Sequence, residues 1–130
     1  MSRQIKFRAW HMPFGPKGPM QEMVHGRASH ILAFAEMSSD NYIVEQYTGL
    51  KDKNGKEIYE GDILAWHSNI YRKHDWVGLV LYRGAGFAVQ ESDKSYSSPE
   101  WLDCACSKDA NIVEIVGNVH ENPELLEEDK

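Results

Sequence analysis

Cys104-Ala105-Cys106 contains both cysteines of the chain. Side chains alternate between faces along a strand, so the two thiols would point the same way and offer two soft metal ligands. A closed zinc site needs two more. His11, His25, His30 or His120 would have to supply them through long-range contacts. His25 and His30 are five residues apart, which does not stack them on one helical face as a spacing of four would. A disulfide across one intervening residue is strained, and a reducing compartment opposes it. Two ordinary thiols and no metal is the simpler reading.

Other candidate chemistry is weaker. Nucleophilic catalysis needs a base beside the nucleophile, oriented by a third group, and no nucleophile elbow marks any serine here. Gly84-Ala85-Gly86 lacks the Lys-Ser/Thr end and the following helix of a phosphate loop, so it reads as a hairpin turn. Glu60 and Asp62 flank a glycine and read as solvated acids of a turn rather than as a catalytic pair. The best surface candidate is the loop from Trp66 to Trp76. There Trp66, Tyr71, Arg72, Lys73 and Trp76 combine aromatic and basic groups. Such residues bind a peptide or single-stranded nucleic acid by stacking and cation–π contact. The competing reading places Trp66 and Trp76 at the core ends of two strands. No cofactor is implied by any of these residues.

The elements that must position these groups are short. At 130 residues, a single domain with an ordinary core is expected. No apolar run reaches the roughly 20 residues of a membrane span, and no secretion signal opens the chain, so a cytoplasmic location is expected. The net charge is −6, and most of it falls after residue 113. Glu114, Glu121, Glu124, Glu127, Glu128 and Asp129 stand there against Lys130 alone. The body has no dense basic run of the kind that tracks phosphates.

Ile5, Phe7 and Ala9 alternate with Lys6, Arg8 and Trp10, which predicts a strand with one polar face. Pro13 to Pro19 is a loop and a place for disorder, and it and the acidic C-terminal tail are natural segments for contact with a partner. Ile31 to Ala35 is too short to assign to strand or helix. Tyr42 to Tyr47, Ile63 to Trp66, Val77 to Tyr82, Phe87 to Val89 and Ile112 to Val119 read as strands. Residues 91–109 read as an irregular loop. Asn122 and Pro123 predict the start of a short helix over 123–128, with Leu125 and Leu126 docked on the body.

The hairpin between Tyr47 and Ile63 is the sharpest local signal, because Asn54-Gly55 tolerates positive φ. A two-residue loop would set Lys53 opposite Lys56 and Asp52 opposite Glu57, like charges in both cases. A three-residue loop with a glycine bulge sets Asp52 opposite Lys56, Lys51 opposite Glu57 and Leu50 opposite Ile58. The bulged form is expected.

Three stretches resemble the conserved blocks of one family. They are Ile5-Lys6-Phe7-Arg8-Ala9-Trp10, Gln46 through Ile63, and Glu114-Ile115-Val116-Gly117-Asn118-Val119-His120-Glu121-Asn122-Pro123-Glu124-Leu125-Leu126. In that order they are similar to the YopX family of small bacteriophage and prophage proteins. His11 stands where members often carry an acid. The resemblance implies an SH3-type barrel for the main body and a phage or prophage origin. It brings no established activity, cofactor or catalytic residue.

The sequence therefore predicts a mainly β chain. An irregular segment spans about 11–41, a small SH3-type antiparallel barrel about 42–120, and a short helix 123–128. The expected role is a non-enzymatic accessory module acting by protein contact, with homo-oligomers among its possible partners and no membrane. A nucleic-acid-binding barrel is the first alternative. A metal protein or enzyme using Cys104 and Cys106 is the second.

Overall fold

The computed structural model describes residues 5–66, 76–83, 86–91, 102, 106 and 113–126, with the backbone alone at 76, 83 and 91. The chain gathers into two compact units divided between Gly49 and Leu50. Among the described residues are eight strands and one α-helix, more strands than the five or six expected. All described pairings are antiparallel.

The first unit is built on β1 (Phe7–His11), flanked by β2 (Glu22–His25) and β3 (Tyr42–Lys51). Arg8 pairs with His25 on one side and Glu45 on the other. Arg8, Ala9 and Trp10 are all buried, so both faces of β1 are covered there and the expected polar face is not exposed. Arg8 instead meets Glu45 directly across the ladder, Nε to Oε1 at 2.8 Å, both side chains under one-tenth exposed. A buried charge is tolerated where its partner is held this close.

The segment expected to be irregular holds β2 and helix α1 (Ala28–Met37). The apolar run from Ile31 to Ala35 is therefore helical, and α1 lies against β1 with Ile31 buried. A 3₁₀ turn, Ser39–Asn41, leads into β3.

The second unit begins with the last two residues of β3. It continues through β4 (Glu57–Tyr59), β5 (Asp62–Trp66), β6 (Trp76–Arg83), β7 (Gly86–Glu91) and β8 (Glu114–Asn118). The last four form a sheet in the order β7-β6-β5-β8. β6 and β7 pair down to Arg83 opposite Gly86, as a hairpin requires. Its core is Ile58, Leu64, Trp66, Val80, Val89, Leu102 and Val113, with Leu50, Phe87, Cys106 and Ile115 packed against it. Leu102, fully buried, lies within the stretch read as a loop, most of which is outside the described residues.

The hairpin takes the bulged form. The N–H of Gly55 donates to the carbonyl of Asp52 at 3.0 Å, and the N–H of Asp52 to the carbonyl of Lys56 at 2.8 Å. Gly55 has φ +82°, and no other loop residue has positive φ. That is a type I turn closed by a left-handed glycine, as the charge pairing predicts. The three-residue loop is also braced from outside. Lys53 donates its N–H to the carbonyl of Val113 (2.9 Å) and extends its ammonium to Glu114 (3.6 Å).

At the C-terminal end, Pro123–Leu126 is a 3₁₀ turn rather than a helix. The Asn122 side chain faces away from it, its Oδ1 accepting the N–H of Asn118 at 3.3 Å. The turn rests against β6. Leu126 is half-buried and Leu125 exposed, so one of the two leucines docks.

Candidate interaction surface

The 66–76 loop divides. Trp66 and Trp76 are register partners at the ends of β5 and β6. The Trp66 side chain is buried in the core of the second unit, so it is not a surface platform. Tyr71, Arg72 and Lys73 lie outside the described residues. Cys104 does too, while Cys106 is half-buried, its N–H donating to the carbonyl of Leu102 at 3.1 Å. Among the described residues, no group of three or more His, Cys, Asp or Glu is placed to hold a metal ion.

The acids of the two turns do structural work and are not both solvated. Asp52 is 4% exposed. Its Oδ1 accepts the N–H groups of Asn54 and Lys56, each at 2.9 Å, and its Oδ2 accepts that of Ile115 at 2.9 Å. Three backbone donors on one carboxylate is strong charge-assisted bonding. Asp62 is likewise buried, and its Oδ2 closes the Tyr59–Asp62 turn on the N–H of Tyr59 at 2.8 Å. Glu60 is half-buried. Neither arrangement places two carboxylates on a shared site.

Sequence reasoning missed the helical surface of the first unit. Most of α1 faces outward. Leu32, Phe34 and Met37 are exposed, and Glu36 is the only residue of the helix carrying a formal charge. A surface helix normally buries its apolar stripe and turns charge to water; this one also turns three large apolar side chains to water. Phe34 stacks on Tyr42 (6.1 Å between centroids), and Tyr42 stacks on His11 (4.6 Å).

The loop between β1 and β2 is the second feature. Its backbone is held by hydrogen bonds along its length. Gly15 donates its N–H to the Met12 carbonyl (3.1 Å) and Gly18 to the Gly15 carbonyl (3.0 Å). These are two successive four-residue turns, with Pro13 and Pro16 each at the second position, where the fixed φ of proline is favourable. Gly15, ending the first turn, has φ +90°. The Gln21 side chain fastens the whole loop. Its Oε1 accepts the indole N–H of buried Trp10 at 2.7 Å. Its Nε2 donates to the carbonyls of Pro16 (2.9 Å), Gly18 (3.0 Å) and, at longer range, Gly15 (3.4 Å). Asn41 adds a bond from Nδ2 to the Pro13 carbonyl (3.2 Å). The loop leaves Phe14 64% and Met20 75% exposed, with Lys17 also exposed between them. Met20 has φ +65°, a left-handed conformation that costs a side-chain-bearing residue about 1 kcal/mol or more. The proline and glycine spacing did announce turns. The Gln21 anchor had no local signal.

The fold defines a mainly β, two-sheet chain that presents apolar groups on its first unit. The chain belongs to the YopX family: the sequence model of that family, described as YopX protein, matches residues 17–127. It is similar to the crystal structure of protein EF1440 from Enterococcus faecalis. The two share 27% identity with a TM-score of 0.56, over 97% of this chain and 100% of that one. No curated protein matches it in sequence.

Proposed function

We propose that this chain is a non-enzymatic accessory protein of a bacteriophage or prophage that works by protein–protein contact in the host cytoplasm. The observation that carries the reading is α1. A ten-residue helix with one buried side chain and exposed Leu32, Phe34 and Met37 gains little from folding alone and gains from being covered. The aromatic stack of His11, Tyr42 and Phe34 continues that surface. We read the second unit as an SH3-type barrel, which five short antiparallel strands around one core support. The family membership agrees with a phage setting. No helix among the described residues is long and apolar enough to cross a membrane.

The test is side-by-side affinity capture from prophage-bearing cells with the wild-type chain and L32E/M37E, a second copy of the chain being counted as a partner. A protein retained by the wild type and lost by the variant supports the reading. Equal recovery by both, or none by either, overturns it.

A further inference from the structure

We propose that the loop of residues 13–20 is a preformed recognition loop for a protein partner, one whose surface has an apolar pocket with a carboxylate at its rim. This goes beyond α1, since it stands on the loop alone.

The loop is over-determined. Two consecutive turns, two prolines at their favoured positions and five side-chain hydrogen bonds (four of them made by Gln21) hold an exposed loop of eight residues. Loops of this length and composition ordinarily stay mobile, because ordering them costs conformational entropy. Here that cost is met inside the free protein, which removes it from the binding step.

The same ordering fixes what is exposed. Phe14, Lys17 and Met20 fall at every third position and project from a fixed backbone. Phe14 and Met20 are the two apolar tips, and Met20 is held out in a left-handed conformation that its own side chain disfavours. Strain in a well-fastened segment points to a constraint other than stability. Lys17 has no ion-pair partner among the described residues, so the loop offers an unmatched cation between two apolar groups. A carboxylate flanked by apolar side chains is its complement. An anionic lipid surface is the poorer match, since a single lysine adds little attraction and the chain carries a net charge of −6.

The experiment uses the full chain, its loop variants F14S, M20S and K17E, the anchor variant Q21A and the helix variant L32E/M37E. Circular dichroism first establishes that each is folded; the three loop residues are exposed, so their replacement spares the core. Proteins captured by the wild type are purified and titrated against every variant. We expect F14S, M20S and K17E each to weaken binding about tenfold or more, as truncating a central anchor does. Q21A, which keeps all three tips, should speed hydrogen exchange at Gly15 and Gly18 and weaken binding as well. A captured protein that binds all loop variants as tightly as wild type overturns the proposal. So does loss confined to L32E/M37E, which would leave the α1 reading standing by itself. Co-flotation of the chain with vesicles of phosphatidylcholine and phosphatidylglycerol, abolished by F14S, would also overturn it and place a membrane there.

Discussion

Removing the Asp52 carboxylate leaves the N–H groups of Asn54, Lys56 and Ile115 without their acceptor. Each of these partly buried donors then loses a charge-assisted bond, at a cost on the order of 1 kcal/mol. Asp52→Ala should therefore destabilise the chain by about 3 kcal/mol in urea unfolding, and a loss under about 1 kcal/mol would show that the bonds contribute little. The turn type is tested by a neighbouring pair. Of the two, Gly55 alone has positive φ, so Gly55→Ala should cost about 1 kcal/mol, while Asn54→Ala, in ordinary backbone, should be nearly neutral. A two-residue loop would penalise both alike. The turn geometry was legible because its determinants are adjacent residues of opposite charge. The burial of Asp52 was not, because Ile115 lies sixty-three residues away and no local pattern encodes that contact.

At the scale of elements, β1 and β3 are joined by the buried pair Arg8 and Glu45. Breaking one side strands the other charge, so Arg8→Met should destabilise by about 3–5 kcal/mol. Replacing both residues with apolar ones of similar size should recover most of that loss. If the double variant is as unstable as the single, the loss is not that of a stranded charge and the site requires the pair itself. Alternation along β1 suggested a polar face at Arg8, and the reading failed because Arg8 is buried against Glu45 of the neighbouring strand, a contact no local pattern encodes. Helix α1 was also illegible as such. Its apolar run is short, and the cue that would have decided it, charge on the outward side, is missing because that side is apolar. The same absence makes the helix a candidate contact surface. L32E/M37E should leave the unfolding midpoint nearly unchanged, since both side chains are exposed and exposed substitutions usually shift stability by less than about 0.5 kcal/mol. A large drop would mean that they are packed.

For the whole molecule, the mainly β class and the family were readable from three blocks of residues, and the family match over residues 17–127 agrees. The two-unit organisation was not readable, because the division falls inside β3, a strand continuous in sequence. The sequence placed a candidate surface between Trp66 and Trp76. The structure buries Trp66 in the second unit and exposes an apolar helix and a fastened loop in the first. Trp66 ends β5 beside β6, and its large ring gains more packed in the core than left in water. The central claim is that the chain acts by protein contact through its first unit. It is tested most directly by quantitative capture from prophage-bearing cells, with wild type and L32E/M37E measured together. The account predicts a protein, a second copy or another chain, recovered in stoichiometric amount by the wild type and lost by the folded variant. Equal recovery from both, or no recovery from either, would contradict it.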